Sequence, residues 1–208
     1  MKAAAGEIFV LLPLGRGKNE GMSAQIKLIF TAMLLAGLAT AGCSQEPKSA
    51  TGHIMKIQLT SAAFPDGQPI PAKYTGDALD ISPPLAWTNP PAGTKSFALI
   101  ADDPDAPAGT WTHWVIYDLP PTATVLAEDT LKVAQLRNGA KQGLNDSKKT
   151  GYNGPAPPPG KAHRYLFKLY ALNKMTGLAP NATKADLLKA MDGHVLGEGR
   201  LVGTYQRQ

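Results

Sequence analysis

Proline restricts this chain more than any other residue. The sequence holds 18 of them, all but Pro13 lying after Cys43, about twice the usual share of roughly 5%. Each fixes its own φ, removes a backbone donor and biases the preceding residue away from the helical region. They cluster as Pro83-Pro84, Pro90-Pro91, Pro120-Pro121 and Pro157-Pro158-Pro159, without a repeating period. That pattern excludes a polyproline rod and any long helix through the clusters. Between them there is room for short strands joined by stiff, shaped loops.

The intervening segments have strand patterning. Lys56 to Thr60 alternates, with Ile57 and Leu59 on one face. Phe64 to Tyr74 carries Pro65, Pro69 and Pro71 and is expected to be irregular. Ile81 to Trp87 leads into a short strand ending near Asn89. Ser96 to Ala101 is an apolar run whose end delivers Asp102, Asp103 and Asp105 to a loop, and His113 to Leu119 is the next strand. Thr122 to Lys149 is weakly patterned and reads mostly as loop. The clearest alternation is His163 to Leu172, with His163, Tyr165, Phe167 and Leu169 on one face and Arg164, Leu166, Lys168 and Tyr170 on the other. One helix is expected, capped by Thr183, with Asp186 at its third position and Leu187, Leu188 and Met191 as its apolar face. Gly193 is its stop, unless a second turn runs through Val195-Leu196. Arg200 to Gln206 suits a last strand. Many short strands, few helices and no βαβ rhythm predict a mainly β fold, an antiparallel β-sandwich, in one domain over residues 54–208.

Ahead of that domain the composition changes. Residues 22–42 have the layout of a secretory signal peptide: Lys27, an apolar core from Leu28 to Leu38, then small residues. Met22 fits a true start, which leaves residues 1–21 as an extra extension or an upstream misreading of the gene. Thr40-Ala41-Gly42-Cys43 resembles a bacterial lipobox, although Thr40 stands where leucine is usual. Ala39-Thr40-Ala41 is an overlapping site for ordinary signal peptidase. Cys43 is the only cysteine, so no intramolecular disulfide can form, and its position makes it the expected lipidation site. Residues 43–53 are then the lipidated cysteine and a polar tether. The expectation is an exported protein on the periplasmic side of a bacterial membrane, held there by Cys43; a soluble periplasmic protein is the alternative. The net charge of +5 includes Lys2, Arg16, Lys18 and Lys27 of the leader. With no Lys/Arg cluster beyond Lys148-Lys149, there is no case for nucleic acid.

Two stretches concentrate the chemistry. Asp103 to Trp114, DPDAPAGTWTHW, is too apolar for a solvated loop and too acidic for a core strand, which suggests a pocket wall. Gly151 to Tyr165, GYNGPAPPPGKAHRY, is a proline-stiffened loop that delivers His163 to the start of the clearest strand. Gly154 is placed to bare backbone N–H groups to an anion. If the strands begun by His113 and His163 are neighbours, both imidazoles line one cavity with Asp103 and Asp105. A carboxylate accepting one imidazole N–H fixes the tautomer and raises the ring's affinity for a proton, and the other nitrogen faces the cavity as a donor. Two such donors plus loop N–H groups suit a phosphate or a carboxylate. Trp111 reads as pocket wall and Trp114 as core.

DPDAP, then GTWTHW, then GPAPPPGKAHRY, with ISPPLAW upstream, closely resembles the phosphatidylethanolamine-binding protein family, and within it the bacterial Raf-kinase-inhibitor-like branch. The resemblance runs from about Lys56 to the C-terminus. It implies two antiparallel sheets with a few short peripheral helices, and a small anion pocket that accepts phosphate-bearing groups such as phospholipid headgroups. Carried onto this sequence, the pocket comprises Asp103, Asp105, Trp111, His113, Gly154, Pro155, His163 and Tyr165. The leader sets the chain apart from the cytosolic members, and the loop around Ala156 to Pro159 is longer than in the animal proteins. The expected partners are a small anionic or phosphorylated ligand and, through Cys43, a membrane. A homodimer is compatible with the sequence, and nothing in it recognises a kinase or any other named protein partner.

Three rival functions compete. Two His and two Asp could furnish a zinc shell, but no HxH or HxxxH pair exists and Pro104 separates the carboxylates, so no metal and no cofactor is expected. A hydrolase lacks a Gly-x-Ser-x-Gly elbow and would need a His-Asp pair acting on bound water. Inhibition of a protease or other protein partner, a role also known within the family, would use the proline-rich loops. The favoured reading is a non-catalytic binding protein.

Overall fold

Strand formation follows the proline punctuation. The computed structural model describes residues 54–207; segments 1–21 and 22–42, and the tether 43–53 with Cys43, lie outside them. The chain runs through β1 (Met55–Lys56), β2 (Gln58–Thr60), β3 (Gln68–Pro69), a 3-10 turn (Ala72–Tyr74), β4 (Leu85–Thr88), β5 (Ser96–Asp103) and β6 (Trp111–Leu119). It continues through β7 (Val125–Leu126), β8 (Lys141–Gln142), β9 (His163–Leu172), helix α1 (Lys184–Met191) and β10 (Val195–Tyr205). The larger sheet has seven strands, ordered β1-β10-β9-β5-β6-β8 with β3 also paired to β10; the smaller has the order β2-β4-β7. The fold is the expected two-sheet, mainly β architecture. Its departure from a purely antiparallel plan is local: β1 and β3 run parallel to β10.

Burial explains why β5 is central. All eight of its residues are buried, because both faces of the larger sheet are covered there. Phe97, Leu99 and Ala101 face the main core with Trp87, Trp114 and Phe167. Ala98 and Ile100 face the other way, packing with Val115, Tyr117, Leu187 and Met191 beneath α1. Each large apolar side chain so buried contributes roughly 1.5–3 kcal/mol. On β9 the alternation holds as predicted, with His163, Tyr165, Phe167 and Leu169 buried. Asp102 turns to the helix face, where its buried carboxylate accepts from Lys168 at 3.1 Å and from Lys184, the first residue of α1, at 2.7 Å.

Two local expectations need correction. Leu187 and Met191 are the buried residues of α1, whereas Leu188 is 44% exposed. Val195-Leu196 do not extend the helix: Gly193, at φ 72°, ends it, and Val195 already pairs with Leu172 of β9. Thr122 to Lys149 is mostly loop, as expected, and contributes the two-residue strands β7 and β8, one to each sheet. The cap itself forms as the spacing predicts, with Thr183 Oγ1 accepting from the Asp186 amide and the Asp186 carboxylate accepting from the Thr183 amide.

Candidate functional site

β5, β6 and β9 end together, and their ends make the floor of a cavity of about 430 Å³. β6 reaches it through a bulge. Ala101 pairs with Trp114 and Asp102 with Thr112, so His113 is an extra residue between two paired positions. In an unbroken strand His113 would share the face of Val115 and Tyr117, which pack beneath α1. The bulge instead turns it to the Trp114 side, into the cavity.

Both histidines are held by Nδ1. His113 Nδ1 donates to the Asn153 carbonyl at 2.6 Å, and the Asn153 amide donates back to the His113 carbonyl at 3.0 Å. His163 Nδ1 donates to Asp103 Oδ2 at 2.8 Å, with both side chains nearly buried. In each case the acceptor oxygen requires the proton to sit on Nδ1, which leaves Nε2 without a protein partner among the described residues. A neutral ring in that tautomer presents a lone pair at Nε2, and only the imidazolium presents a donor. The geometry therefore refines the expectation that the free nitrogens are donors: they become so by taking up protons. Burial lowers the pKa of His113 from its ordinary 6.5, opposed by the Asn153 bond and by the charges of Asp103, Asp102 and Asp146.

Tyr165 completes the floor. Its ring meets that of His113 edge-on, with centroids 5.1 Å apart, and its hydroxyl is buried without a hydrogen-bond partner. Burial, followed by the nearby charge of Asp103, holds this hydroxyl protonated far above the usual tyrosine range. A buried hydroxyl with no partner costs about 1–3 kcal/mol.

The other residues named from the sequence divide into wall and scaffold. Trp111, 37% exposed, stands at the rim with Ala106, Pro107, Ala108, Pro157 and Pro158. Trp114 is in the core, its Nε1 donating to Gln142 at 2.7 Å. Asp105 is not on the cavity wall. Its carboxylate accepts from the Arg164 amide at 3.0 Å and the Arg164 guanidinium at 2.8 Å, which holds it well below the usual carboxylate range. It ties the 103–110 loop to the start of β9. Gly154 does line the cavity, but its N–H is already spent on Asp80 Oδ1 at 2.5 Å. Glycine is needed there for packing, since a Cβ would sit 2.5 Å from the Tyr74 carbonyl oxygen and 2.8 Å from the Thr75 backbone. Pro155 is buried behind the wall, its carbonyl accepting from the Gly76 amide at 2.8 Å. Ser147 and Asn153 also line the cavity and were not legible: Ser147 falls in a stretch without periodicity, and Asn153 acts through its backbone carbonyl. Among the described residues, no group of three or more His, Cys, Asp or Glu is arranged to hold a metal ion.

The sequence model for phosphatidylethanolamine-binding protein matches residues 60–206. The chain belongs to this family. It is 52% identical over 151 residues to a UPF0098 protein of Methanothermobacter thermautotrophicus, covering 73% of this chain and 99% of that one. A UPF0098 protein of Pyrococcus horikoshii is 39% identical over 190 residues, 90% of this chain and 91% of its own length. Among solved structures, a phosphatidylethanolamine-binding protein homologue from Chlamydia trachomatis is 42% identical, with a TM-score of 0.67 over 74% of this chain and 99% of that one. Escherichia coli YbcL, described as a member of the mammalian family, is 31% identical with a TM-score of 0.66 and the same coverage. The family resemblance seen in the motifs thus extends through the whole described domain.

Proposed function

We propose that this phosphatidylethanolamine-binding protein family member binds a phosphate-bearing or other small anionic group in the β5–β6–β9 cavity, without catalysis, as an exported protein tethered to a membrane through Cys43. The observation that carries the ligand reading is the convergence on one cavity of two imidazoles, each fixed by Nδ1 with Nε2 left free. An anion supplies the acceptor that both rings lack once they are protonated. The volume suits a small organic molecule carrying such a group. The export reading is supported by the leader sequence alone.

The test is calorimetric titration of the full chain with inorganic phosphate and with phosphoethanolamine, beside the double variant His113→Ala, His163→Ala. Saturable binding that the double variant loses supports the proposal. Absence of binding in the unaltered chain, or equal binding in the variant, refutes it. The His163–Asp103 pair also has the geometry of a general base acting on water, so the same samples are assayed for release of nitrophenol from p-nitrophenyl phosphate. Turnover abolished by His163→Ala would replace the non-catalytic reading with a hydrolytic one.

A further inference from the structure

The cavity is larger than the group that two imidazoles can fix. At about 430 Å³ it has the size of sites that enclose a small organic molecule, so a bare phosphate would leave most of it to water. Against the two histidines it sets an apolar wall built by two segments. Pro107, Ala108 and Trp111 come from the turn between β5 and β6, and Ala156, Pro157 and Pro158 from the loop ahead of β9.

That wall is held in place. The Gly109 amide donates to the Ala106 carbonyl at 3.0 Å, and Arg164 ties Asp105 to β9. The second segment is pinned at both ends: the Pro155 carbonyl accepts from the Gly76 amide at 2.8 Å, and the Gly160 carbonyl accepts from the Gln206 side chain. Its prolines fix φ as well. An apolar wall already in its bound shape loses little ordering entropy when a ligand covers it.

The site has no acceptor to spare for a cation. Asp103 is the one carboxylate on the lining among the described residues. Its Oδ1 accepts from the Asp105 amide and its Oδ2 from His163, each at 2.8 Å. Asp105, beside the wall, has both oxygens on Arg164, and Lys161 adds a second positive charge near it. An ammonium group on the ligand would therefore give up its water without gaining a free carboxylate.

We propose that the anion taken by this cavity carries an uncharged apolar substituent, as in an aryl or short alkyl ester of phosphate, and that the site favours such esters over amine-bearing ones, with Trp111 as the specificity-determining residue. The two rings hold the phosphate, and the substituent lies along the Trp111–Pro158 wall. This inference rests on the anion-binding reading of the same cavity and adds the other half of the ligand.

Calorimetry on the full chain at one pH tests it, with inorganic phosphate, phosphoethanolamine, phosphocholine, phenyl phosphate and the ethyl, propyl and butyl phosphates. Each added methylene should tighten binding by up to about fourfold, and phenyl phosphate should bind at least tenfold more tightly than phosphoethanolamine. Trp111→Ala should lower the ratio of phenyl phosphate to inorganic phosphate affinity severalfold. Ala108→Glu, at an exposed position of the wall, supplies the missing carboxylate and should shift the ratio severalfold toward phosphoethanolamine. A flat alkyl series, or phosphoethanolamine or phosphocholine binding as tightly as phenyl phosphate, overturns the apolar substituent and leaves anion binding standing. Absence of saturable binding by every probe, inorganic phosphate included, overturns both.

Discussion

If anion binding needs imidazolium donors, affinity must be linked to protons, and the structure sets the size of the linkage. Sulfate is the cleanest probe, because it stays a dianion over the range in which the histidines titrate, whereas a phosphate monoester has its own pKa near 6. Burial holds His113 below 6.5, so at pH 7 its ring is mostly neutral and directs a lone pair at the ligand. Above its pKa, each proton that binding must supply raises Kd about tenfold per pH unit. From pH 6.5 to 8.5 His113 alone thus weakens sulfate binding by roughly tenfold to a hundredfold. The ceiling is the worth of one hydrogen bond to a charged group, about 1.5–3 kcal/mol, or roughly tenfold to 150-fold per histidine. Calorimetry in two buffers of different ionisation enthalpy measures this linkage as a net uptake of protons on binding. The apo domain reports the same linkage with opposite sign. As pH falls below 6.5 the unfolded chain takes the His113 proton before the folded one does, so stability declines until the lowered folded pKa is passed. Added sulfate should reverse that decline. Equal Kd at pH 6.5 and 8.5, together with an enthalpy independent of buffer, would refute the imidazolium argument and leave binding to neutral donors.

Other perturbations separate the wall from its supports. Asp103→Asn leaves one oxygen where two now serve the Asp105 amide and His163 Nδ1, each at 2.8 Å; with that oxygen kept on Asp105, the new amide donates to Nδ1 and moves the ring proton to Nε2, so the neutral ring already presents a donor and anion affinity should fall less steeply with rising pH than in the unaltered chain. Gly154→Ala forces a methyl group against the backbone of Tyr74 and Thr75 and should lower stability by roughly 1–3 kcal/mol, read as a reduced melting temperature. Thr183→Ala breaks the capping box of α1 and should lower stability by about 1 kcal/mol in denaturant titration, with anion affinity unchanged. Arg164→Ala removes an exposed partner of Asp105 and should change stability by less than about 1 kcal/mol; a larger loss would show that the 103–110 loop depends on that clamp.

How much of this was legible in the sequence follows from the range of the interactions involved. The two faces of β9 are legible because its alternation is a local property: each side chain's face is set by its neighbours two residues away. The same rule misplaces His113, since period-two counting back from Tyr117 and Val115 puts it beneath α1. Only the pairing of Ala101 and Asp102 with Trp114 and Thr112 exposes the extra residue that turns it round, and pairing register is not a property of either strand alone. Chemistry alone assigns Asp105 and Gly154 to the cavity, yet Arg164 and Asp80, 59 and 74 residues away in the chain, engage their polar groups. The pattern also promised two nitrogens facing the cavity as donors, but the tautomer of His113 is decided by the carbonyl of Asn153, 40 residues further on. Motifs name the residues of such a site because side-chain chemistry travels with the residue. They do not say which groups are already spent, and in this cavity the unspent ones are two Nε2 atoms, so its affinity for an anion is governed by protons that the composition of the site does not reveal.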